Sequence, residues 1–483
     1  MFEAALASHR RQFLQGSALG LGQMALASLL PRPVHAETSS IAGRGSANTL
    51  IPQAPHFAPQ AKNVIFLFQA GAPSQLDLFE PKPKMQALHG QPVPASFLEG
   101  LSDPLIKGSA RVWASPRKFQ QYGQSGMPFS DYLPHLATCA DDLCMLRTVR
   151  TDIPNHDPAQ LMMNCGIPRF GAPSMGSWVT YGLGSESQEL PGFVVLLSSN
   201  GPGDLAGTAL WDNAFLPATH RGVTFRSQGD PILHLASPPG FSRTLQRQRL
   251  DLINELNQVR TQSQPDPEIQ SRIAAYELAF RMQIAAPNLI DFSGESQATL
   301  DAYGVGPELT NTYGSNCLLA RRMVERGVRF VQLYHFTWDD HSDLNAKLQN
   351  NCRRTDQPAA ALIQDLKQRG LLDETLVIWG GEFGRTPMAE VRRGMTPGKE
   401  GRDHHPFAFT MLMAGGGIKP GTIYGETDEL GYHPVRDPVH VHDLQATILH
   451  LLGLDHTKLV YRYQGRDHRL TDIAGELVPG IMA

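Results

Sequence analysis

The stretch Val328-Arg329-Phe330-Val331-Gln332-Leu333-Tyr334, followed shortly by Trp338-Asp339-Asp340-His341, decides the fold. Its first seven residues are mostly apolar, β-branched or aromatic, which suits a strand buried on both faces. A helical pattern from Cys317 to Glu325 precedes it. The same order recurs downstream, where a helix over Gln357 to Gly370 leads into a strand over Thr375 to Trp379. Phe407 to Ala414 reads as a further strand, closed by Gly415-Gly416-Gly417, and His442 to Leu452 as a late helix. Upstream strands are expected at Val64 to Phe68, Leu143 to Val149 and Pro191 to Leu197, and helices from Pro158 to Asn164 and from Pro267 to Ile284. This alternation predicts an α/β fold with a mostly parallel central sheet and helices on both faces. Ligands in such folds sit beyond the carboxyl ends of the strands.

Metal-type side chains gather at those ends. Asp339 and His341 follow one strand, and Glu382 follows another in Trp379-Gly380-Gly381-Glu382-Phe383-Gly384-Arg385. Asp403-His404-His405 leads into the third. An oxygen and nitrogen set of this kind suits a divalent metal such as zinc, manganese or iron. Three adjacent groups on an extended backbone cannot all face inward, so one of His404 and His405 is expected to bind while its neighbour supports the site or meets substrate. Glu382 can ligate metal or act as a base, and the planar fork of Arg385 can hold an anionic oxygen or neutralise Glu382. His156, between a strand and a helix N-terminus, can be a ligand, an acid/base group or a nucleophile. Ser74, in the turn after the first strand, is a candidate nucleophile.

The N-terminus reads as an export tag. Arg10-Arg11-Gln12-Phe13-Leu14, an apolar run from Leu19 to Leu30 and a small-residue ending at Ala36 make residues 1–36 a twin-arginine signal peptide. The expected partner is the twin-arginine translocation machinery, and the expected location the periplasm or cell envelope. Residues 37–58 are rich in Ser, Gly and Pro and read as a flexible leader; 59–475 follow as one domain with an insertion at 198–265. No second run is long enough for a stable membrane span. The net charge of −4 argues against broad electrostatic binding of nucleic acid. Five cysteines without zinc-knuckle spacing leave room for one disulfide, with Cys139–Cys144 the nearest pair.

Taken together, Asn63–Pro83, Asn155–Gly166, Gly171–Leu197, Trp338–His341, Trp379–Pro387, Gly401–Gly421, Val439–Leu454 and Gly465-Arg466-Asp467 resemble the domain of unknown function 1501 family. That family is grouped with the alkaline phosphatase and sulfatase superfamily. The resemblance implies an alkaline-phosphatase-like fold, one or two divalent metals and hydrolysis of phosphate or sulfate esters. It also implies a metal-binding carboxylate after the first strand, where Asp77 is the nearest. The sulfatase segment Cys-x-Pro-Ser-Arg corresponds to His156-Asp157-Pro158-Ala159-Gln160, without Cys or Ser at the nucleophile position. The late Asp-His pair of sulfatases corresponds to Glu382-Phe383. These departures imply an altered metal site, a different nucleophile or lost catalysis. The leading expectation is an exported metal-dependent hydrolase of phosphate or sulfate esters, with an anionic ester or sulfated glycan as substrate. The alternative is a non-catalytic envelope protein that binds glycans or proteins on a degenerate hydrolase scaffold.

Overall fold

The computed structural model describes residues 51–97, 110–198, 206–233, 235–237, 240–263, 267–390 and 398–483. The export tag and most of the leader lie outside them. A nine-stranded sheet organises the chain: β1 Asn63–Gln69, β2 Leu143–Arg150, β3 Phe193–Leu197, β4 Val223–Phe225, β5 Phe330–His335, β6 Thr375–Gly380, β7 Phe409–Ala414, β8 Thr422–Tyr424 and β9 Val439–His440. The strand order is β8-β2-β7-β6-β1-β5-β3-β4, with β9 pairing further along β2. Every pairing is parallel except those of β7, which runs antiparallel to both β2 and β6. The sheet is thus largely parallel, as expected, with one reversed strand near its middle.

All seven residues of β1 are buried, and they alternate between two cores. Val64, Phe66 and Phe68 join one apolar cluster, while Ile65 and Leu67 join the other. Successive side chains of a strand point to opposite faces, so an unbroken apolar run requires cover on both. One face is covered by helices α1 His156–Cys165, α2 Met175–Leu183 and α7 Val441–Leu451. The other is covered by α4 Pro267–Ile290, α5 Asn311–Val324 and α6 Leu344–Gln368. Each fully buried Val, Leu or Phe contributes about 1.5–3 kcal/mol of transfer free energy.

Three details add to or depart from the expected elements. Helix α6 begins thirteen residues before Gln357, because Pro358 sits inside the helix rather than at its start. The stretch 198–265 contains edge strand β4 and a long helix, α3 Arg243–Ser263, as well as loops. All five cysteines are buried and unpaired, so no Cys139–Cys144 bond forms. Cys139 packs into one core and Cys144 into the other, on opposite faces of the sheet. Among the described residues, no helix is long and apolar enough to cross a membrane.

Candidate metal centre

The reversal of β7 settles where Asp403-His404-His405 lies. A strand antiparallel to β6 begins at the sheet edge where β6 ends. The segment before β7 therefore meets the loops that follow β5 and β6. His404–His405 pairs there with Gly384–Arg385 as a short antiparallel ribbon. His156, the first residue of α1, arrives from the end of β2. Close backbone approach holds the loops together. A Cβ on Gly401 would lie 2.0 Å from the carbonyl carbon of His341. Gly71 has φ +104°, and a Cβ there would lie 2.5 Å from the Asp339 nitrogen. Only glycine fits either place.

Three imidazoles converge on one carboxylate oxygen. The Nε2 atoms of His156, His341 and His404 lie 3.1, 2.9 and 3.4 Å from Asp339 Oδ1. His341 Nε2 and His404 Nε2 are 2.9 Å apart. One ligand atom from each of these four residues lies within 4.8 Å of the others, and their side chains stay between 14% and 26% exposed. The site is therefore open enough for a small ligand.

The outward nitrogens fix the tautomers. His404 Nδ1 lies 2.8 Å from the Pro154 carbonyl, which can only accept, so Nδ1 donates. His156 Nδ1 donates to Glu382 Oε1 at 2.6 Å, and His341 Nδ1 donates to Glu390 Oε2 at 2.5 Å. In the neutral form of each ring, the Nε2 lone pair is then directed inward. Facing lone pairs repel unless a cation or proton stands between them, and His156 Nε2 is buried without a well-formed hydrogen bond. In their neutral forms the three imidazoles, each anchored through its other nitrogen, and one carboxylate make a donor set that fits a divalent transition metal. His156, Asp339, His341 and His404 would hold it, with Glu382, Glu390 and the Pro154 carbonyl fixing the rings.

The other expected site residues fall around this set in different ways. Glu382 is fully buried and accepts from His156, from Gly71 N at 3.0 Å and from Gln160 Nε2 at 3.2 Å, so it orients a ring from behind. Arg385 is also fully buried and donates to the carbonyls of Gly71, Ala72, Trp338 and Arg402 and, at 2.6 Å, to Asp339 Oδ1. Its fork clamps three loops and the central carboxylate. His405 points away from His404, as neighbours on an extended strand do. Its Nε2 donates to the Tyr432 carbonyl at 2.7 Å, and burial pushes its pKa down to about 4. Asp77 lies outside the imidazole cluster: it pairs with Arg402 Nε at 2.7 Å and accepts from Ser74 Oγ at 2.5 Å, all inside the protein. Burial pushes the Asp77 carboxyl up, but the Arg402 guanidinium and the Ser74 hydroxyl hold it below the usual carboxylate range. Sequence reasoning missed Glu390 and the Pro154 carbonyl. Nothing local marks either as a partner of an imidazole, 49 residues away for Glu390 and 250 for Pro154.

The charges couple tightly. Burial lowers the pKa of His156, but acceptance by Asp339 and Glu382 outweighs it and raises the value to about 9. Burial opposes ionisation of Asp339 too, yet the three imidazoles and Arg385 hold its carboxyl far below the usual range. A metal entering the site must displace the His156 proton. Metal affinity is therefore expected to rise with pH, by at least about tenfold per unit, until it levels off near pH 9. Burial lowers the His341 pKa as well, but Asp339 and Glu390 outweigh it and raise it, so indicator titration should detect at least about one proton released per ion at pH 7. The metal-free fold behaves oppositely. His156 has a folded pKa above its unfolded value, so its stabilisation is complete below about pH 6.5 and is lost as pH rises through about 9. Affinity independent of pH between 6 and 9 would remove His156 from the ligand set.

Fold and site together define a mixed α/β protein with a three-histidine, one-aspartate metal-type centre at the carboxyl edge of its sheet. Residues 61–482 match the family described as "Protein of unknown function (DUF1501)", and the chain belongs to it. No curated protein matches. Among solved structures, the chain is similar to an alkaline phosphatase from the Antarctic bacterium TAB5 (12% identity, 82% of this chain and 99% of that one, TM-score 0.35). It is also similar to the lipoteichoic acid synthase LtaP from Listeria monocytogenes (9% identity, 84% and 76%, TM-score 0.34). A third is the PsFucS1 sulfatase from Pseudoalteromonas sp. (11% identity, 82% and 68%, TM-score 0.33).

Proposed function

We propose that the chain is a metal-dependent hydrolase of phosphate or sulfate esters. The observation that carries this reading is the convergence of three Nε2 atoms on Asp339 Oδ1, each ring anchored through Nδ1. A divalent ion held by such a set supplies Lewis-acid chemistry, polarising a phosphoryl or sulfuryl oxygen and favouring deprotonation of water. The chain's own residues do the rest. Glu382, Glu390 and the Pro154 carbonyl hold the imidazoles in their ligating tautomers, and Arg385 fixes the carboxylate. Ser74 is buried and bonded to Asp77, which favours water over a serine hydroxyl as the attacking group.

Metal analysis of protein purified without chelator, beside hydrolysis of 4-nitrophenyl phosphate and 4-nitrophenyl sulfate, tests this. Near-stoichiometric zinc, manganese or iron with turnover abolished by chelation is expected. Protein that holds no metal after supply of all three ions would sink the reading. We also propose export to the periplasm by the twin-arginine route. Replacing Arg10 and Arg11 by lysine should leave the protein in the cytoplasm, and unchanged periplasmic recovery would refute export by that route.

A further inference from the structure

Helix α3 shows water the side that a surface helix normally buries. Arg247, Leu250, Asn254 and Asn257 form its half-buried stripe. Arg247 Nη1 donates to Glu277 Oε2 of α4 at 2.8 Å, and Asn254 Nδ2 donates to Glu277 Oε1 at 2.7 Å. On the opposite side Leu245, Leu252, Leu256 and Val259 are between 38% and 66% exposed. Removing such a stripe from water is favourable, and its continuity marks an interaction face.

Leu245, Arg249, Leu252, Leu256 and Val259 are separated by four, three, four and three residues. That is a heptad seam, with Leu245, Leu252 and Val259 at d and Arg249 and Leu256 at a. A single polar a residue fixes register and oligomer state at some cost in stability, and Arg249 supplies it. Glu255 then falls at g on one flank of the seam and Arg260 at e on the other. In a parallel pair each g residue faces the e residue five places further along the other helix. Glu255 therefore meets the partner's Arg260, and the dyad repeats that pair. An antiparallel pair would set like flanks together, and the flank of Gln248 and Glu255 holds no cation. An anionic bilayer would meet Asp251 and Glu255 beside the stripe.

We propose that α3 pairs with α3 of a second copy of this chain in a short parallel coiled coil, making the protein a two-fold dimer. The 21 residues of the helix supply three heptads. Helix α3 contributes no residue to the metal centre, so the pairing is independent of the hydrolase reading.

Sedimentation equilibrium of the full chain without its export tag, over a range of concentrations, provides the test. The wild type should be a dimer. Leu252→Glu and Leu256→Glu, both at exposed positions, should each weaken dimerisation about thirtyfold or more while keeping the far-UV spectrum of the wild type. Glu255→Arg should weaken it as well, and Arg260→Glu in the same chain should restore it. Direction is read by cross-linking. The five native thiols are buried, so Leu245→Cys, Leu252→Cys and Val259→Cys should each form a disulfide-linked dimer with copper phenanthroline where the wild type does not. A wild type that stays monomeric at every concentration overturns the proposal. A dimer that survives both glutamate variants lies elsewhere and overturns it too. Cross-linking of Leu245→Cys only when mixed with Val259→Cys would refute the parallel register. A monomer that floats with phosphatidylethanolamine–phosphatidylglycerol vesicles, and ceases to with Leu256→Glu, would give the face to a membrane instead.

Discussion

Asp339→Asn is expected to leave a folded protein that no longer holds metal. Asp339 Oδ1 is the one atom to which His156, His341, His404 and Arg385 all turn. Asparagine keeps the shape and one oxygen but removes the charge that offsets a divalent ion. Loss of a partner behind a ligand typically lowers metal affinity about 10–100-fold, and loss of the carboxylate itself should exceed the upper end of that range. Ester hydrolysis should fall in parallel. Asp339→Ala adds a second effect. It leaves the buried Arg385 guanidinium with carbonyl partners alone, and breaking such a pair costs about 3–5 kcal/mol when both members are buried. Asp339 is 26% exposed, so the lower end applies. Metal analysis and thermal unfolding of both variants check this. Stoichiometric metal in Asp339→Asn would rule out the centre as described.

Asp77→Asn should do the opposite: lose stability and keep metal. Asp77 and Arg402 are both fully buried and bonded through Arg402 Nε and Nη2. Neutralising Asp77 strands the guanidinium, for about 3–5 kcal/mol, or about 3–6 °C in the unfolding midpoint of a chain this long. The sign with pH follows from the depressed folded pKa of Asp77. Its stabilisation is present above about pH 3.9, the unfolded value, and is lost as pH falls through the lower folded one. The gap between wild type and variant should thus be constant near neutrality and close in acid. If Asp77→Asn loses its metal while its unfolding midpoint stays put, Asp77 belongs to the centre after all.

The strands were legible because burial on both faces writes itself as an unbroken apolar run, as in β1 and β5. The placement of Asp403-His404-His405 was harder. These residues precede their strand, and only the reversed direction of β7 carries them to the edge where β5 and β6 end. Strand direction is a property of pairing and leaves no local trace. Arg385 illustrates a second limit. Its fork suits an anionic oxygen, but folding surrounds it with carbonyls from three loops, and backbone acceptors are invisible in side-chain chemistry. Helix α6 was read short because its first half is polar and Pro358 mimics a helix start.

The centre draws its groups from residues 156, 339, 341 and 404, so it exists only once strands far apart in the chain have paired. A ribosome-bound chain lacking its last hundred residues has no His404 to offer. Any metal the centre takes must therefore bind after folding, and the compartment in which folding happens sets which ions compete. At equilibrium with equal supply, a nitrogen-rich site prefers zinc to manganese or iron(II). With export in the folded state, as proposed above, the ion bound would be one chosen from the cytoplasmic pool.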